Sequence, residues 1–263
     1  MLRDITLGQY YPAESVVHRL DPRVKFFGTI LYIVTLFLFK SFWGFIPVVL
    51  MLAMVVGLSK IPPKFIFKGL KPMLFLLIFM VIVNLLMTKG EVVFEWWKIS
   101  ISKEGIRTAG FMALRLILLV TGSSVMTYTT TPTALTAAIE RAFAPLKLFK
   151  FPVHDVAMMM SIALRFIPIL LEETDKIMKA QQARGADFEN GGLIKRAKAM
   201  LPILVPLFVS AFRRAGDLAQ AMEARCYHGG EGRTKLHPLK YAKRDLAAFA
   251  VLAGYLAVII IMP

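Results

Sequence analysis

The sequence has few of the residues from which disulfides and metal sites are built. It contains one cysteine, Cys226, which excludes an intramolecular disulfide and most cysteine-based metal sites. His228 and His237 lie nearby in the chain, but their spacing from Cys226 matches no standard zinc site. We therefore expect the protein to hold no metal and no other cofactor.

Motifs for catalysis are also missing from the sequence. The dipeptide Gly-Lys does not occur, so the chain has no P-loop to hold nucleotide phosphates and cannot be an ATPase by itself. Neither HExxH nor GxSxG occurs, and no apolar block carries paired carboxylates, so hydrolytic chemistry has no support. These absences predict a protein that is not an enzyme.

Apolar sequence, by contrast, is abundant and lies in long blocks. Hydrophobic residues make up 57% of the 263 residues, and five blocks have roughly the 17 to 25 residues that cross a bilayer as a helix. The blocks cover residues 24–39, 42–58, 72–88, 109–128 and 246–262. No small-residue cleavage site follows the first block, so we interpret it as a retained span. The blocks predict an all-α integral membrane protein with about five transmembrane helices.

The positive charge of the chain is distributed as expected for a membrane protein. Lysine and arginine number 32 against 17 acidic residues, and the loop between the second and third spans carries only basic charges: Lys60, Lys64, Lys68 and Lys71. Such a loop is typical of the cytoplasmic side. Five crossings then place the N-terminus and residues 129–245 in the cytoplasm and the C-terminus outside. No basic patch is interleaved with aromatic residues, so we expect no nucleic acid as a partner.

Three long helices are predicted within the cytoplasmic segment, over residues 132–145, 155–184 and 193–225. Thr131 is an N-cap residue followed by Pro132 at the first helical position. The second and third helices begin apolar and become polar midway, which is typical of helices that lie along or slant out of a membrane interface. We expect their apolar halves to pack on the membrane spans or on a neighbouring protein.

The apolar halves could instead be two further spans, over residues 156–171 and 199–212. Arg165 argues against this, because an arginine at mid-bilayer costs roughly 2.5 to 3.5 kcal/mol. Two additional crossings would also place Arg184 and Arg225 on opposite sides of the membrane. We therefore divide the chain into residues 1–131 with four spans, a coupling-helix module over residues 132–240, and a last span over residues 241–263.

The second and third helices end on a repeated pattern, Ala-x-x-Ala-Arg. It occurs as "AQQAR" up to Arg184 and as "AMEAR" up to Arg225. A basic residue in the last helical turn has a structural explanation, since it complements the helix dipole by about 0.3 to 1 kcal/mol. Capping does not require the alanines, however. Small neighbours leave the guanidinium free to enter a groove and pair with a carboxylate.

Three stretches of the sequence resemble one known family. "VHRLDPRVKF", "IALRFIPILLEETDKIMKAQQARGAD" and the second "EAR" resemble the transmembrane T component of energy-coupling factor (ECF) transporters, the ATP-driven uptake systems for vitamins and transition metals in prokaryotes. The resemblance implies an L-shaped scaffold in the cell membrane with cytoplasmic coupling helices. It also implies two ABC-type ATPase subunits and a membrane-embedded, substrate-binding S component as partners.

The resemblance assigns roles to the two arginine motifs. Ala183-Arg184-Gly185 and Ala224-Arg225-Cys226 would each sit in a groove of one ATPase subunit. Cys226 departs from the family, where glycine is usual, and this puts the tight chain reversal in doubt. Gly229-Gly230 is an alternative place for the turn. On the apolar halves, exposed Met158, Met159 and Ile162 are predicted to bind the S component, because methionine suits surfaces that accept several partners.

Two further features have more than one explanation. Asp21 and Pro22 form a standard N-cap and first-turn pair, which we interpret as structural, although a buried pairing of Asp21 or His18 with the coupling helices is an alternative. Arg115 lies within the fourth span, where a charge indicates a substrate path or a side chain that reaches the interface.

The rival functional class is a self-sufficient secondary transporter or channel. Such a protein would need helices broken at mid-membrane or paired polar residues, and preferably an inverted repeat. The sequence displays none of these, since its one repeat is the ending of the second and third cytoplasmic helices.

Overall fold

A computed structural model describes residues 10–39, 41–96, 99–186, 188, 192–229 and 239–261. The α-helices in these ranges are α1 Pro22–Leu38, α2 Phe45–Ser59, α3 Pro63–Leu70, α4 Leu74–Met87, α5 Lys103–Thr129, α6 Pro132–Ala142, α7 Val153–Ala183, α8 Leu193–Ala224 and α9 Lys243–Ile261. The chain forms two compact units. The bundle unit comprises Gly8–Ile139 and Leu239–Pro263, and the two-helix unit comprises Glu140–Pro238.

The helices of the bundle unit follow the predicted membrane spans. α1, α2, α5 and α9 match four apolar blocks within a few residues. The remaining block gives α4, which is only 14 residues long because a 3-10 turn over Lys71–Met73 separates it from α3. The described chain is therefore an all-α membrane protein, with one short β-hairpin.

Among the described residues, five helical stretches are long and apolar enough to cross a membrane, by length and composition. They are Phe42–Ser59, Pro63–Met87, Lys103–Thr129, Val153–Ala183 and Lys243–Ile261. α1, with 17 residues, is not among them, whereas α7 is. The number of spans predicted from the sequence agrees with this set, but its membership differs. The sequence predicts a span at α1, whereas Arg165 and the placement of Arg184 and Arg225 argue against one at α7.

The hairpin lies in the connection between α4 and α5. Strands β1 Val92–Trp96 and β2 Ile99–Ser102 pair in antiparallel fashion, a structure that the charge pattern of this loop does not predict. Ser102 anchors the hairpin to both helices. Its hydroxyl donates to the carbonyl of Thr88 at 2.7 Å and accepts the N–H of Gly105 at 3.0 Å, which caps the start of α5.

The core of the bundle unit is formed where α1, α2, α5 and α9 meet. The hydroxyl of Tyr32 in α1 donates to the carbonyl of Leu118 at 2.9 Å, and the hydroxyls of Thr35 and Tyr255 lie 2.7 Å apart. The absence of a side chain at Gly122 permits this packing, because a Cβ atom there would lie 2.3 Å from the ring of Tyr32. Buried hydroxyls therefore find partners within the apolar core.

The segment before α1 is attached to the bundle through His18. The Nε2 atom of His18 lies 3.0 Å from the carbonyl oxygen of Tyr11, and the backbone N–H of Tyr11 donates to the carbonyl of Tyr128 at the end of α5. Because a carbonyl can only accept, Nε2 carries the proton. The Nδ1 atom of the neutral ring then accepts from the hydroxyl of Ser15 at 2.7 Å.

In the two-helix unit, α7 and α8 run antiparallel. The side-chain amide of Gln181 donates to the carbonyl of Pro202 at 3.4 Å, while Glu173 accepts from the hydroxyl of Ser210 at 2.8 Å and from the guanidinium of Arg214 at 2.6 Å. Residues later in α7 thus contact residues earlier in α8, as in an antiparallel pair. Both helices continue through internal prolines, so each is a single long element.

The environment of His18 predicts an acid sensitivity of the fold. Burial and the nearby Lys25 ammonium lower the pKa of His18, and they outweigh the hydrogen bond to Tyr11, which raises it. A lowered pKa means that the folded protein favours the neutral ring. Its contribution to stability is therefore complete above the usual histidine pKa of about 6.5 and is lost as the pH falls below that value.

We expect the thermal unfolding midpoint of the purified protein to fall between pH 7.5 and 5.5. His18→Gln should show a smaller fall, because the titrating ring is gone, whereas His228→Gln, at an exposed histidine, should behave like the parent. Differential scanning fluorimetry in detergent measures this. Equal acid sensitivity in His18→Gln and the parent would contradict the role of His18.

Candidate functional site

The first arginine motif closes α7 with a tight reversal of the chain. Arg184 is the C-cap residue. The N–H of Gly185 donates to the carbonyl of Gln182 at 2.9 Å, and the N–H of Ala186 donates to the carbonyl of Gln181 at 3.0 Å. These two bonds define a Schellman motif. Gly185 has a φ of +88°, a left-handed conformation that glycine adopts without steric cost.

The second motif closes α8 in the same way. Arg225 is the C-cap residue. The N–H of Cys226 donates to the carbonyl of Glu223 at 2.8 Å, and the N–H of Tyr227 donates to the carbonyl of Met222 at 3.0 Å. Cys226 occupies the position of the glycine, with a φ of +55°. The two helix ends therefore share one backbone structure.

The reversal that was in doubt from the sequence is thus present, and it is made by Cys226 itself. The alternative, in which Gly229-Gly230 makes the turn three residues later, is wrong for the chain reversal that directly follows α8. Gly229 does have a positive φ of +97°, but it lies beyond the closed motif, and Gly230 is outside the described residues. Cys226 is a free, exposed thiol.

All six residues assigned to ATPase binding are exposed at the helix ends: Ala183, Arg184, Gly185, Ala224, Arg225 and Cys226. Within the described part of the chain, neither Arg184 nor Arg225 forms an ion pair. A guanidinium that projects from a helix end, beside alanines, presents its planar set of donors to an external carboxylate.

The antiparallel arrangement places the two motifs at opposite ends of the helix pair. The end of α7 lies near Pro202, because Gln181 contacts it. Arg225 is 23 residues further along α8, which corresponds to about 35 Å at 1.5 Å per residue. The structure therefore presents two like motifs that are well separated, and it does not form a single basic cluster.

Of the three side chains predicted for S-component binding, only Met159 is exposed, at 57% of its surface. Met158 and Ile162 are half-buried. The expectation that all three are exposed is thus wrong for two of them. Residues four apart share a helix face, and the face of Met158 and Ile162 is turned partly inward, while Met159 lies one position around the helix, next to exposed Met160.

A larger apolar surface lies on α8, within the apolar half that the sequence predicts to pack on the membrane spans or on a neighbouring protein. It is a stripe of exposed side chains at helical spacing, formed by Leu201, Leu204, Val205, Phe208 and Phe212. We call this the α8 stripe. Spacings of three and four residues are the signal for such a face, but the sequence alone does not single out these five side chains. An exposed stripe of this kind indicates a surface for lipid or for a protein partner.

Asp21 and Pro22 begin α1 inside a buried polar cluster. The carboxylate of Asp21 accepts the backbone N–H of Arg23 at 2.8 Å, as an N-cap, and receives two bonds from its guanidinium at 2.9 and 2.8 Å. Burial raises the pKa of Asp21, but the bonds from Arg23 outweigh it and leave the pKa below its usual value. The side chain of Asp245 in α9 accepts the N–H of Asp21 at 2.8 Å.

The alternative that Asp21 or His18 pairs with the coupling helices stays a prediction. Asp21 and its partners Arg23 and Asp245 all belong to the bundle unit, and so do the partners of His18. In the described residues, the cluster therefore joins α1 to α9. The guanidinium of Arg23 also lies 3.9 Å above the ring of Tyr241.

Arg115, the charged residue in the fourth predicted span, is held by the protein. Its Nη2 atom donates to the carbonyl of Phe39 at 3.0 Å, and its guanidinium lies 4.7 Å and 5.3 Å from the ring centres of Phe111 and Phe37. Phe39 is the C-cap of α1, so the cation also complements the negative end of that helix. This arrangement favours a structural role over a substrate path.

No cluster of three or more histidine, cysteine or acidic side chains is placed to hold a metal ion among the residues that the structure describes. His228 is exposed beside Cys226, and His237 lies outside the described residues.

The left-handed conformation of Cys226 predicts strain at the end of α8. A non-glycine residue in this region pays roughly 1 to 2 kcal/mol, so we expect Cys226→Gly to stabilise the last turn of α8 by about 1 kcal/mol. Hydrogen exchange of the amides of Cys226 and Tyr227, measured by mass spectrometry, should slow about fivefold. The reciprocal change, Gly185→Ala, should accelerate exchange at the end of α7.

The control is Cys226→Ala, which removes the thiol but keeps a Cβ atom. It should exchange at the rate of the parent. If Cys226→Ala and Cys226→Gly were protected to the same degree, the effect would come from loss of the thiol and not from relief of backbone strain.

Comparisons with known proteins cover most or all of the chain and agree with one another. The family model described as "Cobalt transport protein" matches residues 13–236. The energy-coupling factor transporter transmembrane protein EcfT of Ruminiclostridium cellulolyticum is 52% identical over 262 residues, which cover 100% of this chain and 98% of the relative. The proteins of the same name from Clostridium kluyveri and Lactococcus lactis subsp. cremoris are 51% and 45% identical, over 94% and 93% of this chain and 93% and 92% of their own lengths. The chain therefore belongs to the family of transmembrane components of energy-coupling factor transporters.

Proposed function

We propose that this chain is the coupling scaffold of an ECF-type uptake transporter, linking two ABC-type ATPase subunits to a separate S component. The observation that carries the proposal is the pair of like helix ends, each with an exposed arginine on the same closed turn. Because the motifs lie far apart on one helix pair, they suit two similar receptors. The transported vitamin or metal is bound by the S component, and this chain performs no catalysis.

The proposed orientation follows from charge. Between Asp21 and Glu91 the sequence contains no acidic residue, and the loop after α2 together with α3 carries Lys60, Lys64 and Lys68. The positive-inside rule then places α3 and the N-terminus in the cytoplasm. With α1 counted as a span and α7 not, both arginine motifs also face the cytoplasm, where ATPase subunits bind nucleotide, and the C-terminus lies outside.

The proposed mechanism is mechanical. ATP binding and release change the separation of the two ATPase subunits, and the arginine-bearing ends follow the grooves that hold them. The contact of Glu173 with Ser210 and Arg214 ties α7 to α8, so displacement of one end is passed to the other helix. The α8 stripe and the surface around Met159 supply the apolar face on which the S component rests and reorients.

The arginines are tested by charge reversal. We expect Arg184→Glu combined with Arg225→Glu to abolish co-purification with the ATPase subunits, because each pairing becomes a repulsion between carboxylates. The protein should still insert into membranes. The matched control is Arg213→Glu, an exposed arginine in the middle of α8, which should leave the complex intact. Undiminished complex formation and transport in the double variant would refute the proposal.

The assignment of S-component binding to the apolar surface around Met159 has its own test. We expect Met159→Gln to weaken retention of the S component while the ATPase subunits remain bound, because an amide in place of an apolar anchor must be desolvated at the interface. Pull-down through an affinity tag on this chain, with each partner quantified, measures both. Met73→Gln, at an exposed methionine of the bundle unit, is the control. Loss of the ATPases alone would show that the apolar and polar halves are wrongly assigned.

A further inference from the structure

The bundle unit contains a lateral cavity of about 270 Å³ between α1, α2, α5 and α9. Its lining is almost entirely apolar. Four large apolar side chains of the lining, Val16, Met54, Leu58 and Val251, are exposed by 57%, 43%, 49% and 42%. Three of them lie on α2 and α9, so the cavity opens to the side between these helices. Both helices belong to predicted spans, which means that this opening faces the acyl region of the bilayer.

The cavity has the length of one leaflet. On α9 its lining extends from Arg244 to Tyr255, eleven residues that rise by about 16 Å in a helix. The hydrocarbon core of a bilayer is about 30 Å thick, or about 15 Å for each leaflet. An extended acyl chain would therefore fit along the cavity, with its lipid headgroup at the Arg244 end.

The headgroup end of the cavity is cationic. Lys25 and Arg244 both line it. The ammonium of Lys25 donates to the carbonyls of Thr129 at 2.7 Å and His18 at 3.2 Å, which uses two of its three N–H groups. Lys25 forms no ion pair among the described residues, and Arg244 is exposed on the first turn of α9.

The charges around this end do not balance. Arg23 pairs with Asp21, and the buried carboxylate of Asp245 accepts backbone N–H groups from Asp21 and Ala242. Among these five side chains, the cations Arg23, Lys25 and Arg244 face the carboxylates Asp21 and Asp245, which leaves one positive charge. A ligand with one negative charge and a long apolar chain would complement both the charge and the lining.

We propose that this cavity binds an anionic glycerophospholipid, with an acyl chain between α2 and α9 and its phosphate at Arg244 and Lys25. In the orientation proposed above, the lipid comes from the cytoplasmic leaflet, where anionic lipids provide the negative surface potential. The bound acyl chain fills the opening in the surface of the bundle unit, next to the polar cluster around Asp21. The inference concerns lipid binding by the bundle unit and does not depend on the coupling role of the arginine motifs.

The test uses the full-length protein in detergent with added phosphatidylglycerol or phosphatidylcholine of identical acyl chains. Native mass spectrometry counts bound lipid, and thermal unfolding reports stabilisation. We expect at least fivefold more phosphatidylglycerol than phosphatidylcholine to remain bound, and a higher unfolding midpoint with phosphatidylglycerol. Inorganic phosphate alone should produce no shift, because it lacks the chain that fills the cavity.

Two pairs of variants distinguish recognition of the lipid headgroup from binding of the acyl chain. Arg244→Gln should reduce phosphatidylglycerol binding to the level of phosphatidylcholine, while Lys243→Gln, at the adjacent exposed lysine that does not line the cavity, should not. Ala247→Phe, at the exposed mouth, should reduce binding of both lipids, and Ala253→Phe, exposed elsewhere on α9, should reduce neither. Equal binding of the two lipids by the parent protein, or equal effects of Arg244→Gln and Lys243→Gln, would overturn the proposal.

Discussion

The bundle unit depends on a buried carboxylate that joins residues from the two ends of the chain. Asp245 is 1% exposed, and its two oxygens accept the backbone N–H groups of Asp21 at 2.8 Å and Ala242 at 2.7 Å. The same site contains Arg23, which is paired with Asp21 and covered by Tyr241. Because a buried carboxylate is costly unless its oxygens are hydrogen-bonded, these partners must assemble together. The cluster therefore fixes where α9 begins against α1, although the residues are separated by more than 200 positions.

Further polar contacts hold α1 against its neighbours in the bundle unit. α1 starts at the cluster and ends at Leu38, and the carbonyl of its C-cap residue Phe39 accepts from Arg115 of α5. Between these ends, Tyr32 and Thr35 bind α5 and α9 through their hydroxyls. One helix is thus held at its start, middle and end by polar contacts with its neighbours. In a membrane such contacts are the means by which apolar helices acquire a defined register, because lipid tails offer no hydrophobic driving force for helix association.

Much of this architecture could be predicted from local sequence, since apolar length alone indicates spans and cap residues indicate helix ends. Thr131 and Pro132 begin α6 as expected, with the hydroxyl of Thr131 accepting the N–H of Ala134. The bond between Asp245 and Asp21 could not be predicted, because nothing local connects residues so distant in sequence. The hairpin between α4 and α5 was missed because its strands have five and four residues. Cys226 was misjudged because residue preference predicts glycine in a left-handed turn, whereas the hydrogen bonds of the helix end impose that conformation on cysteine.

The contact between α7 and α8 has a mechanical consequence. Glu173 lies 11 residues before Arg184, and Arg214, its partner, lies 11 residues before Arg225. At 1.5 Å per residue, each motif is therefore about 17 Å from the same ion pair. If α7 and α8 rotate about that ion pair, the two arms are of equal length. A displacement of one arginine motif then produces a displacement of the same size at the other. Arms of equal length would transmit the movement of a symmetric pair of driving subunits without favouring either subunit.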